Sequence, residues 1–587
     1  MSYDISIIRH SLAHIMAAAV QKLWPDVRFA GGPAIDDGFY YDFDMEHRIT
    51  EEDFPAIEKA MRELIKSDGR FVRRDVSADE AREIFAAQPY KLEWINEYAA
   101  SGADEPLSVY QFRDFTDLCR GPHVESSKEL PKDGFKIRSV AGAYWKGDSK
   151  NKMLQRVYAY AFANAAELDQ HIANVAEAEK RDHKKIGPAL ELFHFDSRSP
   201  GVPYWLPRGL IVYKELYRFW ADYHEEHDYQ EFRGTLLNKR ELFVPSGHWD
   251  HYQDSMWIIK EDEDNVYALK PMSCPNSIVV YATKMRSYND LPLRLSDADT
   301  LYRHESTGSL NGLFRTFEFN QDDAHIFVSP DQIEDEYNRI FDIVDDFYKL
   351  FGIKCSFNLS TRPDSFVGEK EIWDRAEAAL EKILVARFGR DNFKIQEKDG
   401  AFYGPKVDIN IKDALGREWQ CGTIQLDFFM AGRFGITYTD RDGAKKTPIM
   451  IHRVIYGSLG RFIGILIEHF AGKLPLWISP VHAAVIPISQ DYEKYADEVF
   501  ARLYDADVRT ATRGLRIEKS YSAESMQKRI RDAQVMQTPY MIIVGEKEQA
   551  DGTISVRTRD GRQINGVKLD DFIAEMKEKI KTKTLEL

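Results

Sequence analysis

Residues 299–328 read Asp-Thr-Leu-Tyr-Arg-His-Glu-Ser-Thr-Gly-Ser-Leu-Asn-Gly-Leu-Phe-Arg-Thr-Phe-Glu-Phe-Asn-Gln-Asp-Asp-Ala-His-Ile-Phe-Val, and this text commits the chain to two strands around a polar loop. Arg303 and Glu305 alternate onto one face of the first strand. Asn311-Gly312 tolerates positive φ in a turn, and Arg315 starts the return strand. Two arginines then face one cleft. A guanidinium stays charged and presents a planar fork of donors, which suits nucleotide phosphates and the charge that develops when phosphorus is attacked. The same text also reads as a solvated charged hairpin.

A second segment, residues 451–468, runs Ile-His-Arg-Val-Ile-Tyr-Gly-Ser-Leu-Gly-Arg-Phe-Ile-Gly-Ile-Leu-Ile-Glu. It predicts a strand that meets Gly457-Ser458 and then a helix with apolar residues at helical spacing and Arg461 in its first turn. Glycine allows close backbone approach, so the turn and the arginine together make a nucleotide platform; alone, a Gly-Ser turn before a core helix is structural. Taken together, the two segments resemble motifs 2 and 3 of class II aminoacyl-tRNA synthetases, and nearly the whole chain resembles the threonyl-tRNA synthetase family.

The chain has 587 residues, 43% of them hydrophobic, enough for several domains with separate cores. Its start lacks a charged residue followed by an unbroken apolar run, and no later stretch is long enough to span a membrane, so a cytoplasmic protein is expected. Four scattered cysteines, Cys119, Cys274, Cys355 and Cys421, suit reduced thiols rather than a disulfide framework. The formal net charge of -16 runs against nucleic-acid binding, which draws on basic side chains. Basic residues nevertheless cluster in residues 513–531 and at Arg557, Arg559 and Arg562, so RNA could be met by patches on an acidic body; the same residues also read as solvated faces.

A charged segment over residues 164–183 places Leu168, Ile172 and Val175 at helical spacing and ends in Lys-Lys-Ile-Gly-Pro, a helix stop. This predicts a linker helix over residues 163–187, an N-terminal domain over 1–162, a catalytic body over 188–478 and a C-terminal domain over 479–587. In the last, residues 481–489, 508–512, 540–544 and 554–557 read as strands, with helices near 492–504, 523–535 and 569–580, a small α/β domain. The expected fold class is multidomain α+β and α/β. The resemblance implies a class II antiparallel-sheet core, an N-terminal editing domain and a C-terminal anticodon-binding domain.

In the N-terminal domain, His10 and His14 are four apart in helical text and share one face. Asp117, Cys119 and His123 cluster in Thr-Asp-Leu-Cys-Arg-Gly-Pro-His. Three histidines and a cysteine could ligate zinc, although such histidine pairs also occur without metal, and the glutamate of a zinc-protease helix is replaced by Ser11. The pairing resembles the editing domain shared by threonyl- and alanyl-tRNA synthetases, which hydrolyses mischarged esters. That resemblance carries over to His10, His14, Tyr41, Lys91, Asp117, Cys119 and His123, working with placed water rather than zinc.

Two sites answer one selection problem. A site that must bind threonine's hydroxyl rejects valine strongly, whereas serine lacks only a methyl, worth about 1 to 3 kcal/mol, so a second hydrolytic site is needed. The resemblance implies one zinc per subunit, held by Cys274, His325 and His452, with open positions for threonine. It also implies Arg303 and Arg315 at the α-phosphate and carboxylate, Glu305 at the adenine amino group, and Arg461, after Ser458, at the γ-phosphate or adenine face. Gln321 and Asp323 would meet the amino acid, joined by Tyr403, Lys406, Gln420 and Gln425. Threonine carboxylate would attack the α-phosphorus of ATP, with magnesium shielding charge, before transfer to tRNA(Thr). Arg513, Arg516, Glu546, Arg557 and Arg559 become anticodon candidates, and a homodimer is implied.

Departures from the family pattern are Thr235 in place of the motif 1 proline, Asn276-Ser277 in place of Gly-His after Cys274, Glu318 in the return strand, and Gly460 before Arg461 in place of glutamate. The resemblance further implies a form lacking the small N-terminal TGS domain of most bacterial relatives. An RNA-binding paralogue without catalysis would lose Arg303, Arg315 or a zinc ligand; an editing-only deacylase would lose the ATP motifs. None of these is lost.

Overall fold

The computed structural model describes residues 3–101, 106–512 and 514–587. Two compact units divide the chain, Met1–Glu177 and Ala178–Leu587.

In the first unit the helix Ile5–Leu23 opens on Asp4, whose carboxylate accepts the Ser6 N–H at 2.8 Å, a cap of the kind that satisfies an otherwise unpaired donor. Its apolar face packs on the helix Phe54–Lys66 and the strand Gly38–Asp44. One antiparallel sheet runs Arg28–Phe29, Gly38–Asp44, Met153–Ala161, Phe135–Tyr144, and a second runs Phe71–Val76, Leu107–Phe112, Phe115–Leu118.

The second unit is built on a mixed sheet ordered Gln230–Glu231, Leu293–Asp297, Glu318–Val328, Ile449–Ser458, Glu418–Asp427, Lys406–Lys412, Lys354–Ser360, Phe393–Gln396. Its two edge pairings are parallel and all those between are antiparallel. Every residue from Ile449 to Gly457 is buried, as expected of a strand paired on both sides. One apolar cluster runs from Leu190 to Ile580, so the predicted catalytic and C-terminal segments share a core inside one unit. The C-terminal sheet runs Ile517–Lys519, Ala483–Pro487, Tyr540–Val544, Thr553–Thr558, Gln563–Lys568, parallel across its first three strands. Among the described residues no helix is long and apolar enough to cross a membrane.

Several local expectations change. The linker helix is Ala165–Arg181, because Asp182 caps a new short helix, His183–Ala189, that contains Pro188; the predicted stop is itself helical. Residues 508–512 form no named strand, and the short segment Ile517–Lys519 takes that edge. The strand Gln563–Lys568 and the helix Glu546–Asp551 escaped notice because both are short and polar. In the hairpin, the strands are Thr300–Tyr302 and Glu318–Val328, separated by two single turns of 3-10 helix. Arg303 and Glu305 therefore follow the first strand, and Arg315 precedes the second instead of starting it. Gly312 does take positive φ, at 50°.

Candidate active site

Strand register builds the floor of the site. His325 pairs with His452, His452 with Gln425, and Gln425 with Lys406, a row across four adjacent strands. Directly opposed residues in antiparallel strands point to the same face, so these four side chains share one side of the sheet. Cys274 reaches them from the first turn of the helix Cys274–Tyr281, not from a strand. Donor atoms of Cys274, His325 and His452 all lie within 4.8 Å of one another.

Their chemistry fits a cation. His325 is fully buried with neither ring nitrogen hydrogen-bonded, and His452 leaves Nδ1 unpaired while its Nε2 lies 3.1 Å from the Asp427 carboxylate. A carboxylate on the far nitrogen fixes the tautomer and aims the near nitrogen, a frequent arrangement behind metal-bound histidine. Unpaired buried polar atoms are costly, and a metal would take up one ring nitrogen of each histidine. Burial pushes the Cys274 thiol up and the His325 imidazole down, so without a cation both are neutral.

Beside this cluster lies a cavity of about 460 Å³. Arg303, Gln321, Asp323, Tyr403, Lys406, Gln420, Gln425 and Arg461 line it, along with Cys274 and His452. The Tyr403 hydroxyl donates to Gln425, and Gln420 Nε2 donates to Asp408 at 2.6 Å. Lys406 stands 3.1 Å from Asp408. Burial pushes the Asp323 carboxyl up, opposed by His452, Arg453 and Lys270. The Arg303 guanidinium rests 5.0 Å from the Phe319 ring centre, its Nε donating to the Pro271 carbonyl at 3.3 Å. Gly457 turns at a φ of 76°, where a Cβ would stand 2.3 Å from the Cys421 carbonyl oxygen, and Ser458 then caps the helix Leu459–His469 by accepting the Arg461 N–H at 3.2 Å.

Glu305 and Arg315 do not line this cavity; they pair with each other at 3.1 Å. Asp427 and Asp322 were not foreseen. Asp322 is fully buried and accepts the N–H groups of Ile455, Tyr456 and Gly457 at 2.9–3.3 Å, holding the strand beside the Gly457 turn. Neither carries a sequence signal, because each acts on a residue far along the chain. Two residues expected to depart from the family pattern meet: Asn276 Nδ2 donates to Thr235 Oγ1 at 3.2 Å and to Asn238 at 3.1 Å, so each gives the other a partner. Glu318 accepts from the Tyr302 hydroxyl across the hairpin, and a Cβ on Gly460 would meet Trp205 only at 3.5 Å, an ordinary contact.

In the N-terminal unit, all seven predicted residues converge. Asp117 receives Lys91 at 2.5 Å, the Tyr41 hydroxyl at 2.6 Å and His14 at 3.4 Å. The Cys119 thiol lies 3.2 Å from His10 and 3.3 Å from His123. Burial pushes the thiol up to about 12, and burial likewise depresses His10, His14 and His123, so these groups are neutral at pH 7. Donor atoms of the three histidines and Cys119 also lie within 4.8 Å of one another, spacing that could hold a metal. Cys119 borders cavities of about 800 and 640 Å³.

The anticodon candidates separate. Arg513 lies outside the described residues. Arg516 is buried, ion-paired with Glu215 and donating to the carbonyls of Ser479 and Trp477, so it is committed within the fold instead of facing a ligand. Arg559 is likewise engaged, donating to Leu474 and Lys473 carbonyls at 2.9 Å. Glu546 is exposed and Arg557 half-buried.

Family comparisons follow this layout. Residues 257–470 match the tRNA synthetase class II core domain (G, H, P, S and T), residues 482–579 the anticodon binding domain, and residues 107–158 the threonyl and alanyl tRNA synthetase second additional domain. The threonine–tRNA ligase of Syntrophomonas wolfei is 46% identical over 99% of this chain and 89% of its own. That of Thermotoga neapolitana gives the same three figures. Among solved structures, the RNA binding domain of threonyl-tRNA synthetase from Cryptosporidium parvum Iowa II matches at a TM-score of 0.64 and 38% identity, covering 69% of this chain and 99% of that one. With the class II core, the anticodon module and the second additional domain on one chain, and such identity along nearly all of it, the chain belongs to the threonine–tRNA ligase family.

Proposed function

We infer that the chain activates L-threonine with ATP to threonyl-adenylate, transfers it to tRNA(Thr), and hydrolyses seryl-tRNA(Thr) in its N-terminal unit. The observation that supports this most is the His325, His452, Gln425, Lys406 row beside an arginine-lined cavity. The class II core works with ATP and Mg2+. Cys274, His325 and His452 are proposed to hold one Zn2+ per subunit. Bound there, zinc would supply a Lewis acid that accepts threonine's amino and hydroxyl groups and that valine cannot satisfy. Asp323, Gln321 and Tyr403 would orient the amino acid, while Gln420, Gln425 and Lys406 border its path to ATP. Arg303 and Arg315 would take the α-phosphate, with Glu305 turning from Arg315 to the adenine amino group and Arg461 to the γ-phosphate. Activation then needs little proton transfer; placement and fixed charge lower the barrier.

The proposed domains are 1–162 for editing, 163–187 as linker, 188–478 for catalysis and 479–587 for the anticodon, in a cytoplasmic homodimer. Glu546 and Arg557 remain the proposed anticodon contacts with the widest access. The test is threonylation of tRNA(Thr) by purified protein with ATP and Mg2+; no charged tRNA from zinc-replete, folded protein would refute the reading.

Three smaller predictions rest on particular contacts. Asp427→Asn frees the His452 tautomer and is expected to weaken zinc retention, in competition with a chelator, by about 10- to 100-fold; unchanged retention would remove Asp427 from the account. His10→Ala is expected to slow seryl-tRNA(Thr) hydrolysis by about 100-fold with threonylation unchanged. Any loss of wild-type hydrolysis as pH falls from neutrality should be centred below the ordinary histidine value, because burial depresses all three imidazoles. A fall centred at that value would contradict it.

A further inference from the structure

The turn that carries Arg315 is held from outside the nucleotide site. Residue 313 is buried at its base, and the Leu313 N–H donates to His183 Nε2 at 3.0 Å. His183 is the first residue of the short helix His183–Ala189 and is fully buried. Its Nδ1 lies 2.7 Å from Glu468 Oε1, which also accepts the His183 backbone N–H at 3.1 Å. Since Nε2 must accept from a backbone N–H, Nδ1 carries the proton and Glu468 fixes that tautomer. Glu468 is held in turn by Arg417 at 2.6 Å. The three donors Asp182, His183 and Glu468 lie close enough for a cation, but both ring nitrogens of His183 are already spent.

The contact is tight in two further ways. A Cβ at residue 312 would stand 2.3 Å from His183 Nε2, so the glycine there is needed for space as well as for φ. The His183 ring sits 4.0 Å from the Phe314 ring, which meets Trp419 at 4.6 Å, and Trp419 underlies Arg461 at 5.9 Å. One buried histidine thus touches the two residues that precede Arg315 and, through an aromatic pair, supports Arg461, another arginine proposed for ATP.

We propose that His183 is a positioning residue for ATP, holding the Leu313 N–H so that the turn presents Arg315 at the phosphates. This rests on the synthetase reading. Nothing in it involves threonine contact, and a misplaced charge of this kind costs rate without removing a reacting group.

The test compares full-length wild type with His183→Leu, which keeps bulk and loses the acceptor, and His183→Gln, whose carbonyl oxygen can stand near the Nε2 position. Hydrogen–deuterium exchange of peptides across residues 305–316 is expected to quicken about tenfold in His183→Leu and to return toward wild type in His183→Gln. In threonine-dependent ATP–pyrophosphate exchange, His183→Leu is expected to raise KM for ATP about 10- to 100-fold while KM for threonine stays within about twofold, with most of the loss recovered by His183→Gln. Wild-type loop protection and KM for ATP in His183→Leu would overturn the proposal. So would an equal rise in both KM values that His183→Gln fails to relieve, which marks a folding role only. Wild type without exchange activity would instead fell the synthetase reading, while the deuterium result would still show whether the tether exists.

Discussion

Arg303→Ala is expected to lower kcat/KM for ATP in threonine-dependent pyrophosphate exchange by about 1000-fold, near the upper end of the cost of losing one fixed donor to developing charge. Arg303 is half-buried, stacked against Phe319 and tied through Nε to the Pro271 carbonyl, so its guanidinium enters the cavity without having to be ordered by substrate. Donors fixed beforehand cost no reorganisation as charge develops. Arg303→Lys is expected to recover little, because a point charge cannot reproduce the planar fork. Arg315→Ala should cost less. It is exposed and paired with Glu305, so part of its benefit is spent in leaving that partner. Equal effects at the two positions would mean that pre-ordering does not matter here. Thermal unfolding checks the fold: neither arginine belongs to an apolar core, and both variants should melt with the wild type.

Cys274→Ala is expected to reduce bound zinc from one per subunit to near none and to abolish threonine activation, while folding persists. The residue is buried at the start of a helix, 4% exposed, beside two histidines with unpaired nitrogens. Removing one of three donors leaves two imidazoles, too few for a site that must also keep positions open. Elemental analysis and pyrophosphate exchange read the two losses separately. Prolonged chelation of the wild type should reproduce both, and added zinc should reverse them. Replacement of Cys355, which stands outside this cluster and does not line the cavity, should change neither. Full activity in a zinc-free Cys274→Ala protein would end the proposal that a metal selects threonine.

How far sequence reached depended on the range of each contact. The helix bearing His10 and His14, and the strand, glycine turn and helix around Ser458 and Arg461, are set by spacing within one segment, and the structure has them as read. The convergence of Cys274, His325 and His452 comes from strand register and a helix start, which no local pattern encodes; only the family resemblance brought these three together. Asp427, Asp322 and Glu468 stayed hidden for the same reason, as each serves a residue in another element. Charge clustering misled at Arg516 and Arg559, because a basic residue on an acidic chain can be consumed by a buried carboxylate or by backbone carbonyls. The misplaced edge strand shows the converse: three residues, Ile517–Lys519, suffice for a strand when a parallel neighbour supplies the pairing.

Threonine-dependent ATP–pyrophosphate exchange by the zinc-replete protein, without tRNA and with serine and valine in parallel, tests the central claim most directly. Strong exchange with threonine, weaker exchange with serine and almost none with valine is the predicted result. Serine keeps the hydroxyl and loses about 1 to 3 kcal/mol with the methyl, whereas valine leaves the site's polar groups unpaired. Exchange with valine comparable to that with threonine would contradict hydroxyl recognition at the Cys274, His325, His452 cluster, and no exchange with any of the three would contradict the synthetase assignment itself.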